Sequence, residues 1–170
     1  GLTIAVSTPA FGGVNVGDSY SPDISADGSV VAFGSNAPNL VGADGNGDQV
    51  CDAPVSECDT NDQSHGFVPD MVAEVSTRVS NPGSGVESDG ASLEPSLSAD
   101  GRWVAFASSS QGFANDPGSS TDIFVHDRTL GTTEGLGYDN GGPVAGESYA
   151  PSISADGDRV AFMSQADNLV

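Results

Sequence analysis

Side chains suited to holding a cation stand at alternate positions in Asp44-Gly45-Asn46-Gly47-Asp48-Gln49-Val50-Cys51-Asp52. Asp44, Asn46 and Asp48 supply oxygens within one tight turn, the Val50 carbonyl continues the alternation, and Asp52 adds a further carboxylate. Calcium takes about six to eight oxygen ligands, and glycines between the ligands let a chain fold around the ion. A calcium loop of this spacing ordinarily has glycine at its sixth position and glutamate at its last. Here Gln49 and Val55 occupy those places, leaving Glu57, Asp59 or Asp62 to supply the missing bidentate ligand. Two readings fit: a structural Ca2+ site on Asp44, Asn46, Asp48, Val50 and Asp52, or a turn-rich loop of solvated carboxylates. No histidine lies in the cluster, which argues against a catalytic metal.

Cys51 and Cys58 fall in the same acidic segment with six residues between them. They suit a local disulfide, which implies an oxidising compartment, or a metal pair; the exposed setting favours the disulfide. His65 and His126 sit in matching strand segments, with no nucleophile or carboxylate set converging on either. Asp27, Asp100 and Asp156 recur, but each stands in a tight turn where Asp bonds its own backbone. Asn115, Asp116 and Asp122 lack the alternate spacing of the first cluster and read as turn and cap residues. Trp103, beside Arg102, suits packing between layers better than stacking on a sugar. No catalytic constellation emerges, and the sequence leaves open whether the chain is an enzyme.

The elements that carry these residues repeat. Ser21-Pro22-Asp23-Ile24-Ser25-Ala26-Asp27-Gly28 returns as Glu94-Pro95-Ser96-Leu97-Ser98-Ala99-Asp100-Gly101 and as Ala150-Pro151-Ser152-Ile153-Ser154-Ala155-Asp156-Gly157. Each copy runs into Val31-Ala32-Phe33-Gly34-Ser35, Val104-Ala105-Phe106-Ala107-Ser108 or Val160-Ala161-Phe162-Met163-Ser164. Ala-Asp-Gly between two apolar runs predicts a β-hairpin, with the proline at the start of its first strand. In the second strand Val and Phe share one face and Ala the other, as expected for a strand covered on both sides. His65–Met71 matches Asp122–Arg128 as a third strand, and Val75–Ser80 matches Thr132–Gly137 as a fourth. Four short antiparallel strands per unit are the blade of a β-propeller.

Pro22 and Pro95 are 73 residues apart, whereas Pro95 and Pro151 are 56 apart. Ser35 to Phe67 spans 32 residues, and the equivalent Ser108 to Phe124 spans 16. Nearly all the extra length is therefore one loop between the second and third strands, which carries both cysteines and the acidic cluster. The expected organisation is one propeller segment over 1–170. Residues 1–18, with Thr3-Ile4-Ala5-Val6-Ser7, are expected to form the last strand of a preceding blade. Residues 19–90 form a blade with the long acidic loop, 91–146 a second blade, and 147–170 the first half of a third. The fold class expected is all-β, with about three blades in a larger ring or one closed by a second copy, since propellers need about four to eight blades.

The pattern P-x-[IL]-S-A-D-G-x-x-V-A-F-x-S, followed by a D-I-F-V-x-D strand, resembles the TolB-like propeller repeat. That resemblance covers nearly the whole chain and implies a bacterial or archaeal protein that is periplasmic, secreted or on the cell surface. It specifies fold and not function, because such repeats occur in binding scaffolds, peptidase accessory domains and lyases.

Charge narrows the partners. The chain has 24 acidic residues against 4 basic ones, all arginine, for a net charge of −20. Such a surface repels nucleic acid and anionic membrane, and no apolar run approaches a membrane helix. The leading expectation is an extracellular, calcium-stabilised propeller that binds or displays a protein or glycan without catalysis. One alternative is a subunit of a surface layer or filament that self-associates through edge strands. Another is the propeller part of a secreted hydrolase or lyase.

Overall fold

The computed structural model describes residues 3–8, 16–41, 61, 63–70, 75–82, 88–113, 120–136, 146–167 and 169. Its elements are all strands: β1 (Ser19–Ile24), β2 (Val31–Ser35), β3 (His65–Asp70), β4 (Val75–Arg78), β5 (Ser92–Leu97), β6 (Trp103–Ser108), β7 (Asp122–Asp127), β8 (Thr132–Leu136), β9 (Ser148–Ile153) and β10 (Val160–Ser164). They form three separate antiparallel sheets, β1-β2-β3-β4, β5-β6-β7-β8 and the pair β9-β10. The three signature hairpins thus lie in three sheets, as a partial all-β propeller requires.

Each hairpin closes through the same chemistry. The turn glycines Gly28, Gly101 and Gly157 have φ of 74°, 68° and 79°, a left-handed conformation that costs a side-chain-bearing residue about 1–2 kcal/mol. The residue before each proline is also left-handed: Ser21, Glu94 and Ala150 have φ of 47°, 55° and 51°. At that point the register slips by one residue, since Tyr20 faces Gly34 while Asp23 faces Ala32. The same slip recurs between Leu93 and Ser96 and between Tyr149 and Ser152. Proline has no N–H for the ladder and disfavours the right-handed helical conformation in the residue before it. A β-bulge there absorbs both constraints.

The sheets stack face to face. Ala32 and Val68 of the first sheet, with Val79 just past its fourth strand, form one apolar cluster with Leu97 and Val104 of the second. The Ala face of β2 therefore looks toward the following sheet, and the Val/Phe face of β6 toward the preceding one. Within the first sheet Phe33 and Phe67 stack at 5.9 Å, with Leu40 and Val6 packed in the same cluster. In the second sheet Phe106, Phe124 and Phe113 pack likewise, Phe113 and Phe124 being 4.3 Å apart. Backbone bonds run from turn to turn across the stack: Ala26 N–H donates to the Ala99 carbonyl at 2.9 Å, and Ala99 N–H to the Ala155 carbonyl at 3.0 Å.

Thr3–Ser7 forms no strand; its Val6 instead packs against the Phe33 and Phe67 cluster. The fourth strand of the first sheet ends at Arg78, two residues before its expected limit. There the ladder gives way to a side chain, since the Ser80 hydroxyl accepts the Gly66 N–H at 3.0 Å.

Candidate functional site

The predicted calcium ligands Asp44, Asn46, Asp48, Val50 and Asp52 lie outside the described residues, as do Cys51 and Cys58. So do Glu57, Asp59 and Asp62, and Asn115 and Asp116 of the corresponding loop. Asp122 is described and is buried at the start of β7. Among the described residues no group of three or more His, Cys, Asp or Glu side chains is placed to hold a metal ion.

The recurring aspartates are turn residues. Asp27 Oδ1 accepts from the Ser25 hydroxyl at 2.8 Å, the Ser29 N–H at 2.9 Å and the Ser29 hydroxyl at 2.7 Å. The Ser29 bonds, with that from Ser25, lower its pKa to about 2. Asp100 accepts from Ser98 Oγ and the Arg102 N–H, and Asp156 from Ser154 Oγ and the Asp158 N–H. Both carboxyls are likewise held below the ordinary carboxylate range, first by the serine hydroxyl of the turn. The same serines accept the N–H that closes each hairpin, from Val30, Trp103 and Arg159.

A charged contact lies beside the second turn. Asp127, at the end of β7, receives Arg102 Nη2 on Oδ2 at 2.6 Å and Arg102 Nε on Oδ1 at 3.1 Å. Oδ1 also accepts the Thr129 N–H at 2.8 Å. The Arg102 bonds come first among the causes that lower the Asp127 pKa to about 2. The Arg102 guanidinium lies 4.6 Å above the Trp103 ring. A methyl group on Gly157 would overlap that ring, so Trp103 packs on the turn of the third sheet, as expected. A groove runs past Trp103, lined by Val125, Asp127, Leu136, Gly157 and Val160. Val125, Leu136 and Val160 hold the ladder positions that Val68, Val79 and Val104 fill in the first inter-sheet cluster. The groove is thus a part of the second inter-sheet contact.

The histidines do not meet. His65, fully buried at the start of β3, has Nε2 3.3 Å from Asn61 Oδ1 and Nδ1 3.5 Å from Ser80 Oγ. His126 lies further along β7, its Nδ1 2.9 Å from Thr133 Oγ1. Thr133 in turn donates to the Asn81 carbonyl at 3.3 Å, linking the second sheet to the chain leaving the first. Burial chiefly lowers the His126 pKa; Arg128 adds to this, and Asp127 opposes it.

Two repeated features escaped the sequence reading. Serines pair across the first two strands of all three units: Ser19 with Ser35 at 3.1 Å, Ser92 with Ser108 at 2.9 Å, and Ser148 with Ser164 at 2.9 Å. Two residues before the first serine stands a glycine, Gly17, Gly90 or Gly146, whose missing side chain admits the backbone at Ala37, at Ser109 and Ser110, or at Gln165 and Ala166. The signal was a recurring G-x-S-[YL] before each proline: Gly17-Asp18-Ser19-Tyr20, Gly90-Ala91-Ser92-Leu93 and Gly146-Glu147-Ser148-Tyr149.

No protein family matches the chain by sequence. No curated protein matches it either. Solved structures do. TolB from Acinetobacter baumannii aligns with 91% of this chain at 18% identity and a TM-score of 0.47. A protein described as TolB from Agrobacterium tumefaciens aligns with 89% of it at 21% identity and a TM-score of 0.53. The chain spans 28% and 40% of the length of those two proteins. The second alignment, with the three sheets, is a likeness of fold: a TolB-like propeller segment.

Proposed function

We propose that this TolB-like propeller segment is an extracellular, calcium-stabilised binding or display module without catalysis, whose ligand is a protein or glycan. The observation that carries the reading is the use made of its polar repeat. Asp27, Asp100, Asp156 and their serine partners close turns, and Asp127 holds Arg102. The framework thus uses its recurring carboxylates for architecture and leaves specialised contacts to loops, the usual place for them. The long loop between β2 and β3 carries the D-x-N-x-D spacing, which suits a structural cation at the base of a displayed segment. A net charge of −20 favours divalent cations and basic surfaces as partners.

Thermal unfolding with calcium and with chelator tests the metal. A single site stabilises by about 2.7 kcal/mol when free calcium is about 100-fold above Kd. Asp44→Ala or Asp48→Ala abolishes that shift, whereas Asp116→Ala leaves it intact. A melting temperature indifferent to calcium removes the metal from the proposal.

A further inference from the structure

The first strand of each sheet is an edge strand, and these edges meet: β1 lies against β5, and β5 against β9. An edge strand ordinarily presents a row of unpaired N–H and C=O groups, on which another chain can add as a strand. On β5 and β9 the outward N–H groups are taken instead by the sheet that precedes each. Ser148 N–H donates to the Thr121 carbonyl at 2.7 Å, Ala150 N–H to Glu94 Oε2 at 2.8 Å, and Ile153 N–H to Ser96 Oγ at 3.3 Å. Pro151 has no N–H to offer, and Tyr149 and Ser152 are ladder partners of Met163 and Ala161. No N–H of β9 is thus left for an added chain. On β5, Ser92 N–H donates to the Ser64 carbonyl at 2.6 Å and Leu97 N–H to Asp23 Oδ2 at 2.7 Å, with Pro95 again lacking a donor.

The side chains that take these donors are placed for it. A bulge leaves its extra residue unpaired in the ladder, so the left-handed Ala150 turns its N–H out of the sheet, where Glu94 meets it. Asp23 accepts the Ile24 N–H on Oδ1 at 2.8 Å, which leaves Oδ2 for Leu97. Ser148, Ile153, Ser92 and Leu97 are buried, and a buried N–H without a partner is costly. Ala150 is exposed, so water would serve its N–H as well. The Glu94 bond therefore answers no buried donor; what it removes is the solvent-facing donor of the β9 edge. We infer that Glu94, with Asp23 and Ser96, closes the meeting edges of β5 and β9 to strand addition. A partner at these edges is recognised through side chains and not by main-chain pairing, and the edge strand of another copy finds no donors on β9. All of these bonds join sheets within the chain itself, and none involves the acidic loop.

Amide hydrogen exchange on the full chain, read residue by residue by nuclear magnetic resonance, tests this closure. Glu94→Ala is expected to speed exchange at Ala150 about fivefold to tenfold, the equivalent of one hydrogen bond, and to leave Leu97 unchanged. Asp23→Ala is expected to speed Leu97 and leave Ala150 unchanged, a reciprocity that general destabilisation does not produce. Glu94→Gln, which keeps an acceptor in the same place, is expected to keep Ala150 slow. A peptide of alternating valine and threonine, added in excess, is expected to leave exchange at Ser148, Ala150 and Ile153 of the wild type as it is. Slower exchange of those amides with the peptide overturns the inference, because main-chain pairing at that edge would engage them. So does an Ala150 rate that Glu94→Ala leaves unchanged, or one that rises as much in Asp23→Ala as in Glu94→Ala.

Discussion

Asp127 shows how one carboxylate ties a turn to a neighbouring strand. Its folded pKa of about 2 lies below the ordinary aspartate value of about 3.9. A group depressed in this way contributes stability that is fully present above its unfolded pKa and is lost as pH falls through the folded value. Asp127 and Asp27, both lowered to about 2, place that loss between about pH 4 and pH 2. Asp127→Asn is expected to lower the melting temperature at pH 7 and to flatten its fall between pH 4 and pH 2. The comparison belongs at raised salt, which mutes the long-range repulsion of a chain at −20. Equal slopes for wild type and variant would mean that Arg102 does not hold Asp127 in solution.

Between elements, the decisive contact is a large side chain of one sheet against the turn glycine of the next. Gly157 and Gly131 have similar φ, 79° and 65°, but a methyl group at Gly131 meets nothing within 4 Å while one at Gly157 overlaps Trp103. Gly131→Ala is expected to cost about 1 kcal/mol from backbone strain. Gly157→Ala is expected to cost at least about 1 kcal/mol more, the price of overpacking. Denaturant unfolding of the two variants measures the difference, and equal losses would separate the third sheet from Trp103. Much of this level was legible in the sequence. The Ala-Asp-Gly turns and the Val-Ala-Phe strands gave hairpins, a blade order and a second strand with one large and one small face, covered on both; which neighbour the small face meets came only from the structure. The bulges were hidden because Ser21, Glu94 and Ala150 share no residue type that signals a left-handed conformation. The serine pairs were hidden because a hydroxyl's partner depends on strand register, which composition does not reveal. Thr3–Ser7 has the apolar, β-branched character of a strand, but a strand needs a ladder partner, and Val6 finds a core instead.

At the scale of the whole molecule, the sheets are layers whose flanks bury one another, and everything proposed about loops and partners rests on that stacking. The repeat reached this level because its two strand faces differ in size. The acidic loop did not, because a ligand set depends on a loop's path, and Asp44 to Asp52 lies outside the described residues. Methyl–methyl nuclear Overhauser contacts test the stacking most directly. They are expected between Leu97 or Val104 and the Ala32, Val68 and Val79 group, which form one cluster across two sheets. Absence of those contacts, with β5 instead showing backbone ladder contacts to β1 or β4 as neighbours in one continuous sheet, would contradict the stacking and the propeller with it.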